Sequence, residues 1–540
     1  MSDDLSEQKE TGVDAGVPLG ISRRGLVARN AIWSLAGWVC VLLLGFVASP
    51  VLIKSLGKTH YGLYILLSSL IAPLGLFDFG VGEATVKHVA ESLGRGDQAQ
   101  AERFLRSTLF FNLLVGVGGA LLVWAAAHPL VASVFNVPSN EQATATLCVY
   151  ALGATWACNQ VSQTYMGAMM AIQEYRLLSV VSLCIQGGTL AGGAVAAVIS
   201  GQVEKVIFVQ TLIAACGTAA WWIFTKQHLP GFCLAPSFDK PSLKVTFGFG
   251  AWQTFNKLGG LLAQRAQLWI LGAFLTAAVV GYFSLALQIA VVVYLITYKI
   301  GQVLFPMVSR LQGEGEEEEA ARLTVLTTWL CGVAGLALLV TTALFANEFL
   351  SLWIGAEVAQ EIAPVMRILL VHVAISMMFA IPNFYLLGTG KVQWLAWLAI
   401  GQGLVVVGAG WWLTPRFGIQ GAAWSVVMGS VPQVVVLIML WRRLLSRWIS
   451  AAEYIATIFA PILLTFALIA FYRWIWSLIS FPLGWVSLGS FSMVVWTISA
   501  AVLVGATRLL RGGDRRWAFF KSAMDSVLLP LKTKWHSRFF

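Results

Sequence analysis

Two stretches of the chain repeat each other at a constant spacing. A shift of 219 positions places residues 29–125 on residues 248–344 without a gap. Because loop glycines match as well as helix residues, the repeat preserves loop length and helix length together. Two similar halves in a bilayer form a cleft, which is where a transporter of this kind binds its substrate. The matching pairs are Trp33 and Trp252, Leu56 and Leu275, Gly62 and Gly281, Gly94 and Gly313, Gly96 and Gly315, and Arg103 and Arg322.

The composition requires a bilayer. Apolar residues make up 58% of the 540 residues and charged residues 11%, with a mean hydropathy of +0.78. A soluble core needs less, whereas each membrane span needs about 20 apolar residues. We expect an all-α polytopic membrane protein with about fourteen transmembrane helices, in two pseudo-symmetric six-helix lobes plus two C-terminal helices. The predicted spans are 29–53, 61–86, 104–127, 143–170, 177–200, 205–225, 245–274, 279–308, 324–345, 362–387, 393–413, 419–441, 453–473 and 484–507.

A polar, Pro-containing connector at 226–244 separates the two predicted lobes. Residues 1–22 are expected to be disordered, and the C-terminal tail to be either an interfacial amphipathic segment or a disordered basic tail. The predicted segments are a cytoplasmic tail at 1–28, the N-lobe with spans 1–6 at 29–225, the connector, the C-lobe with spans 7–12 at 245–445, spans 13 and 14 at 446–508, and a basic cytoplasmic tail at 509–540.

The distribution of basic residues predicts the orientation. With the N-terminus in the cytoplasm, 26 of the 35 Lys and Arg residues fall in cytoplasmic segments. This bias predicts a multi-pass protein of the cell (inner) membrane with both termini cytoplasmic. An even number of spans separates the repeated features, so the halves are related by an axis along the membrane normal. The basic residues expected outside are Lys54, Lys58, Lys205, Arg416 and Arg473.

The net charge of +10 does not indicate nucleic-acid binding in a membrane chain. Its basic residues set the orientation of the spans and contact anionic membrane lipids. The seven cysteines contain no CxxC pair, so neither a metal site nor a disulfide framework is indicated. The sequence also has no GxxxxGK[ST] loop for nucleotide phosphates. We therefore expect no cofactor, with coupling of transport to the membrane potential, H⁺ or Na⁺.

Three motifs resemble those of a known family. The chain is similar to the polysaccharide-exporting flippases of the O-antigen type, in the superfamily that also contains MATE multidrug exporters and lipid II flippases. The resemblance covers roughly residues 25–510 and rests on Tyr61-Gly62-Leu63-Tyr64, Leu76-Phe77-Asp78-Phe79-Gly80 with Ala84 and Lys87, and Phe417-Gly418-Ile419-Gln420-Gly421-Ala422-Ala423 at the start of span 12.

The resemblance implies transfer of a polyprenyl-diphosphate-linked oligosaccharide from the cytoplasmic to the outer leaflet by alternating access. The product would serve O-antigen or exopolysaccharide synthesis. A polysaccharide polymerase or glycosyltransferases would then be partners. Composition alone would not name this substrate.

Span 7 carries the predicted substrate site. One helical face holds a polar stripe that is expected to line the cleft, and Lys257 and Arg265 flank it. A diphosphate carries about two negative charges, and the planar fork of Arg matches phosphate oxygens. Lys257 and Arg265 are therefore predicted to hold the headgroup; the alternatives are an inter-helix ion pair for Lys257 and outward snorkelling for Arg265. The stripe consists of Trp252, Asn256, Gly260, Gln264 and Gln267.

A second site is predicted for gating or ion coupling. The repeat carries position 78 to 297, so Asp78 lies at nearly the depth of Lys299 in the other half. The two could form a cytoplasmic gate that opens when substrate phosphate competes for Lys299. Alternatively, Asp78 and Glu83 could accept a cation or a proton. For Glu83 we favour a local pair with Lys87 at i+4.

Three other features are expected to be structural. His372 is predicted to be a hydrogen-bonded core residue, with a proton relay as the alternative. Arg367 is predicted to snorkel toward the outer face. The acidic run Glu314–Glu319 is predicted to be a solvated connector.

Three other functions were compared with flipping. A MATE-type cation antiporter expects a net acidic cleft, whereas Lys257, Arg265 and Lys299 outweigh Asp78. A membrane-embedded glycan ligase or glycosyltransferase uses long extramembrane loops with acids or bases. The outer loops here run to about 5–17 residues, so enzymatic activity is not expected. The last alternative is a scaffold that recruits glycosyltransferases through the basic tail.

Overall fold

A computed structural model describes residues 23–78, 81–135, 137–172, 174–477 and 484–510. Within these ranges the chain is helical and contains no strand. An α-helix satisfies its backbone N–H and C=O groups within one segment, which is what the hydrocarbon interior of a bilayer demands. The predicted all-α class is confirmed. The predictions for residues 1–22 and for the tail after Leu510 fall outside the described residues.

Fifteen α-helices follow one another along the described chain, with short 3₁₀ or π turns after the first, third and thirteenth. Ten stretches of the described chain are long and apolar enough to cross a membrane. The total of fourteen spans stays a prediction. The helices are α1 Arg23–Ser69, α2 Val81–Gly94, α3 Gln98–Pro129, α4 Gln142–Ala171, α5 Tyr175–Ser200, α6 Val203–His228, α7 Lys240–Phe274, α8 Ala277–Gly313, α9 Glu317–Leu344, α10 Ala346–Ile354, α11 Ala356–Gly388, α12 Val392–Met428, α13 Val431–Leu440, α14 Ala451–Ser477 and α15 Trp485–Leu510.

Two of these helices are broken at a glycine. Gly57 interrupts α1 with φ 78°, and Gly418 interrupts α12 with φ 58°. L-residues rarely adopt positive φ, so a glycine at each position allows the helix to stop and a new segment to begin. Gly57 falls between predicted spans 1 and 2, and Gly418 between predicted spans 11 and 12. We refer to residues 58–69 as the second segment of α1.

The sequence repeat is confirmed in the turns. Gly96 after α2 and Gly315 after α8 have φ angles of 76° and 79°. The break at Gly57 also has its equivalent at Thr276, between α7 and α8. The turns share three backbone hydrogen bonds, in which the N–H groups of Arg95, Gly96 and Asp97 donate to the carbonyls of Glu91, Leu93 and Ser92, and those of Glu314, Gly315 and Glu316 donate to Arg310, Gln312 and Leu311.

The chain divides into two compact units. Unit 1 contains residues 1–55, 78–128 and 146–250, and unit 2 contains residues 56–77, 129–145 and 251–540. The division separates the two segments of α1 near Gly57. The lobe boundary predicted at 226–244 stays a prediction.

Unit 1 is held together by an apolar cluster and by hydroxyl contacts between α4 and α6. The cluster includes Leu105, Met169 and Trp221. The hydroxyl pairs recur at a spacing of seven residues, which returns each side chain to the same helix face. The pairs are Thr155 with Thr211 at 2.8 Å and Ser162 with Thr218 at 2.9 Å.

Unit 2 packs α8, α9 and α11 around small residues. A Cβ on Gly335 of α9 would overlap the terminal methyl of Met377 of α11, so the methionine packs directly on the glycine. The two C-terminal helices attach to the same unit. Tyr454 of α14 donates its hydroxyl to the Leu437 carbonyl at 2.9 Å, and Trp496 of α15 donates Nε1 to the Ala334 carbonyl at 3.3 Å.

The acidic connector after α8 is solvated, as predicted. Residues 314–318 are exposed, and each of the two flanking arginines pairs with a glutamate one turn away. Arg310 bonds to Glu314 at 2.7 Å, and Arg322 bonds to Glu318 at 2.7 Å. The hydrogen bond that the Arg310 guanidinium donates to Glu314 raises the pKa of Arg310 above its ordinary value. These glutamates therefore have local structural partners.

The connector offers a direct test of the positive-φ turn. Gly315→Ala should lower the melting temperature in detergent, because a Cβ at φ 79° costs about 1–2 kcal/mol. Gly313→Ala is the matched control: it ends α8, has open space around a Cβ, and should be neutral or slightly stabilising. Equal shifts for the two variants would contradict the proposed strain.

Candidate functional site

The surroundings of α7 change within two turns. Gln264 and Arg265 are exposed. One residue later, Ala266, Gln267 and Leu268 are each 2% exposed. A Cβ on Gly260 would meet nothing within 4 Å. The open turn, residues 260–265, is therefore followed directly by an enclosed stretch, residues 266–272, which we call the sealed segment.

The second segment of α1 packs against the end of α7 and the start of α8. A Cβ on Gly272 would lie 2.6 Å from Leu66 Cδ1, and one on Gly281 would lie 3.1 Å from Gly62 Cα. A Cβ on Gly62 would overlap the Ala277 carbonyl. Small residues allow helix backbones to approach closely in a membrane, where packing drives association. Gly62 and Gly281 are also partners in the repeat.

Polar contacts accompany this packing. Trp269 of the sealed segment donates Nε1 to Ser69 Oγ at 3.1 Å. Lys58 forms an ion pair with Glu357 at the start of α11, and the two side chains are 37% and 81% exposed. An exposed pair of this kind stabilises by about 0–1 kcal/mol. The glycine packing therefore matters more than the ion pair. We call the second segment of α1 together with residues 266–281 and Glu357 the closed end.

A different face of α7 packs against α12. A Cβ on Gly259 would lie 2.5 Å from the carbonyl carbon of Ala399, and one on Gly403 would lie 2.7 Å from Leu262 Cβ. Residues 259, 262 and 266 follow one another at helical spacing. The contact with α12 thus fixes the rotation of α7 and leaves Gly260 and Gln264 on another face.

Two of the eight predicted site residues have described side chains, and they are neighbours. Gln264 and Arg265 are both exposed in the open turn, directly before the sealed segment. Among the described residues, Arg265 has no ion-pair partner. The other side chains lie outside the described part of the structure; they are those of Trp252, Asn256, Lys257, Lys299, Asp78 and Glu83.

The predicted polar stripe is shorter than expected. Gln267, which was expected to line the cleft, is buried instead. Its Nε2 has no hydrogen-bond partner within the described ranges. The second segment of α1 contacts α7 close to this level, at Trp269 and Gly272. The exposed part of the stripe therefore ends at Gln264.

His372 is a hydrogen-bonded core residue, as predicted. Its Nδ1 lies 2.6 Å from Ser430 Oγ, and its Nε2 lies 3.4 Å from Ser376 Oγ. Ser376 in turn donates to Gln433 Oε1 at 3.1 Å. This network ties α11 to the start of α13. Its contacts account for the histidine without a proton relay.

Arg367 has a contact that the sequence did not predict. Its half-buried side chain donates Nε to the Ala343 carbonyl near the end of α9, at 3.1 Å, and its snorkelling toward the outer face stays a prediction. The last carbonyls of a helix lack intrahelical partners, so an arginine nearby can satisfy one of them. Arg367 therefore joins α11 to α9.

Sequence reasoning missed the contacts of the closed end. Lys58 and Glu357 are 299 residues apart, and neither stands out in its local sequence. A usable signal did exist in Gly62 and Gly281. They are repeat partners near the start of their helical segments, and glycines there indicate close backbone approach.

A family model described as polysaccharide biosynthesis protein matches residues 51–363. A Shigella flexneri protein named "Putative O-antigen transporter" is 19% identical over 424 residues, which is 78% of this chain and 99% of that protein. The alignment thus spans nearly the whole relative.

Solved structures of transporters share the fold. A lipid II flippase, MurJ, in an inward closed conformation matches with a TM-score of 0.68 at 9% identity, covering 88% of this chain and 99% of the other. An inward-facing MATE multidrug resistance transporter matches with a TM-score of 0.63 at 16% identity, covering 77% and 98%. At these identities the likeness establishes the fold alone.

The packing of the closed end predicts that replacing Gly62 by a larger residue makes position 66 more accessible. With the seven native cysteines replaced, a Leu66→Cys variant should react slowly with a maleimide in detergent, because Leu66 is 1% exposed. Adding Gly62→Val should speed labelling about tenfold. Overpacking costs about 1–3 kcal/mol, and a closed state destabilised by about 1.4 kcal/mol opens about tenfold more often.

Gly118→Val is the control, because a Cβ on Gly118 would meet nothing within 4 Å. It should leave the labelling rate unchanged. If Gly62→Val also leaves the rate unchanged in protein that remains monodisperse, the glycine contact does not hold this end closed.

Proposed function

The chain belongs to the family of polysaccharide biosynthesis proteins, and we propose that it flips a polyprenyl-diphosphate-linked oligosaccharide from the inner to the outer leaflet by alternating access. The family match over residues 51–363 carries this proposal. The aligned O-antigen transporter and the fold shared with a lipid II flippase support it. The product would enter O-antigen or exopolysaccharide synthesis, with no chemical step on this chain.

The state of α7 fits one stage of such a cycle. With both termini in the cytoplasm, α7 runs outward, so the closed end is the outer gate and the open turn lies on its cytoplasmic side. A headgroup arriving from the cytoplasm would reach Gln264 and Arg265 and stop at the sealed segment. Outward release then requires the second segment of α1 to separate from α7 and α8.

Arg265 is the residue we assign to the diphosphate. From Arg265 to the end of α7 at Phe274 the helix rises about 14 Å, roughly half of the ~30 Å hydrocarbon layer. A guanidinium at this depth, with no ion-pair partner among the described residues, needs water or an anion for its five donors. Gln264, one residue earlier and also exposed, adds an amide for the headgroup.

The other predicted residues complete the proposal. Lys257 lies two helical turns before Arg265 on α7 and would bind the headgroup earlier on its path; Trp252 and Asn256 would contact the first sugar from the preceding turns. Lys299 and Asp78 would form the cytoplasmic gate. In the alternative role, Asp78 would accept a cation or a proton, whereas Glu83 would pair locally with Lys87.

The membrane potential supplies a driving force. An anion leaving a negative interior gains about 2.3 kcal/mol per charge per 100 mV, so a headgroup of about two charges gains roughly 5 kcal/mol. This suffices to bias export without nucleotide hydrolysis. Exchange with H⁺ or Na⁺ would add to the same gradient. Anionic lipids would contact the basic cytoplasmic segments, and a polymerase or glycosyltransferases would use the product.

A MATE-type cation antiporter is the second candidate, because a MATE transporter shares the fold. Arg265, which has no ion-pair partner among the described residues, argues against it, because its charge would repel a bound organic cation. An acidic residue exposed at the same level would favour the MATE function. Gln264 and Gly260, which accompany Arg265 there, are neutral.

Flux in proteoliposomes tests the function. A lipid-linked oligosaccharide placed in the inner leaflet should become sensitive to an external glycosidase at a rate that depends on the protein. Clamping the potential at zero should slow this flux. Ethidium efflux without oligosaccharide flux would indicate the MATE-type function, and undiminished flux at zero potential would rule out a purely electrical drive.

The role of Arg265 is tested by the initial oligosaccharide flux of each variant at low substrate concentration. Arg265→Gln should reduce the rate about 10- to 100-fold, because a hydrogen bond to a charged group contributes about 1.5–3 kcal/mol. Arg265→Lys should keep part of the rate, since it preserves the charge but not the fork. Arg416→Gln removes another exposed arginine from α12 and should have little effect. Equal rates for Arg265→Gln and Arg416→Gln would contradict this role.

A further inference from the structure

Unit 1 contains an apolar cavity between two helices that touch on both sides of it. The cavity has a volume of about 360 Å³, within the range of about 300–1,000 Å³ typical of ligand pockets. Its lining comes from α1 and α5 alone. The lining residues are Leu44, Val47, Ala48, Val51, Ala191, Ala194, Val195, Val198 and Ile199.

Helices α1 and α5 run parallel and approach each other at three levels. A Cβ on Gly37 would lie 3.8 Å from Ser179 Cβ, one on Gly187 would lie 3.1 Å from Leu44 Cδ1, and one on Gly201 would lie 3.7 Å from the Ser55 carbonyl. The cavity occupies the interval between the second and third levels. It is a groove with two ends that is open along one side, since Val47, Val198 and Ile199 are 67%, 63% and 80% exposed.

Small side chains create the groove. Ala48, Ala191 and Ala194 lie where larger residues would fill the space between the helices. The valines beside them are stiff at χ1, so the walls keep their shape. On its other side, α5 is held by α6, since a Cβ on Gly192 would lie 2.9 Å from Ile213 Cδ1. The groove therefore does not depend on a mobile wall.

Two lysines lie at one end of the groove. Lys54 follows Val51 by one turn on the same stripe of α1, and Lys205 begins α6 just after the short link from α5. Both are exposed, and neither has an ion-pair partner within the described ranges. Glu204, half-buried beside Lys205, is the nearest acid in sequence. An apolar groove that ends near two exposed lysines matches a single apolar chain with an anionic head.

We propose that this groove holds the polyprenyl tail of the lipid-linked substrate in the outer leaflet, with its diphosphate at Lys54 and Lys205. This inference rests on the proposed function for its substrate and orientation. About two charges on the diphosphate match the two lysines. One chain fits between two helices, whereas an ordinary phospholipid brings two chains and a single phosphate. The site thus binds the flipped product beside the transporter.

Photo-crosslinking tests the occupant. Full-length protein in vesicles is exposed to decaprenyl diphosphate that carries a diazirine in its tail, and labelled peptides are mapped. Labelling should fall within residues 44–51 and 191–199. Unlabelled decaprenyl diphosphate should compete, while decaprenol and excess phosphatidylglycerol should not. Equal labelling by a diazirine phospholipid would identify an ordinary lipid groove, and absence of labelling there would overturn the proposal.

Four variants test the tail groove and the head site separately. Ala194→Trp fills the groove and should abolish labelling, while Ala215→Trp makes the same change at an exposed position of α6 and should preserve it. Val195→Phe is a milder filling variant that should reduce labelling if Ala194→Trp is unstable. Lys54→Gln with Lys205→Gln should weaken diphosphate competition about tenfold or more. Labelling unaffected by these changes would contradict the site.

The same vesicles separate this proposal from the proposed function. Flux without labelling of the groove by the isoprenoid would overturn the tail site and leave flipping intact. Labelling with the expected competition but without flux would support a polyprenyl-diphosphate site while removing the flippase function.

Discussion

The approach of two helix backbones at Gly62 and Gly281 determines the arrangement of α7. These glycines occupy equivalent positions in the sequence repeat, and a Cβ on Gly281 would lie 3.1 Å from Gly62 Cα. Their contact brings the second segment of α1 over the sealed segment of α7, so that the open turn ends at Arg265. Packing of small residues carries no hydrophobic driving force in lipid, and the Lys58 pair adds at most about 1 kcal/mol. A contact of this modest strength can open in each transport cycle.

Arg265 sets the electrostatics of the open turn. Placing a charge inside a bilayer costs at least about 2.5–3.5 kcal/mol, which an anionic headgroup would offset in the proposed site. At an effective dielectric constant of 20, a charge pair 4 Å apart is stabilised by about 4 kcal/mol. One arginine can thus select an anionic headgroup and still release it. A deep, fully paired site would bind more tightly and turn over more slowly.

The glycine positions in the sequence predicted more of the structure than the polar residues did. The repeat offset of 219 residues predicted the paired turns at Gly96 and Gly315. A turn with positive φ favours glycine, so it is visible in the local sequence. The stripe on α7 gave the correct face at Gln264 but the wrong depth at Gln267. Helical period fixes which face is polar, whereas the level at which a helix becomes enclosed depends on a partner about 200 residues away. The Lys58–Glu357 pair escaped prediction for the same reason.

A lipid-linked sugar presents opposite solvation problems at its two ends. Moving its diphosphate out of water costs several kcal/mol of free energy per charge. Moving its tail out of hydrocarbon costs about 0.8 kcal/mol per CH₂. A flippase therefore needs a polar path for the head and none for the tail, which can stay at the protein surface. A tail groove open to lipid satisfies this requirement. Lysines at its end, as compact and strongly hydrated point charges, hold a diphosphate less firmly than an arginine fork would. Weak binding there keeps the product close to its site of use without slowing its release.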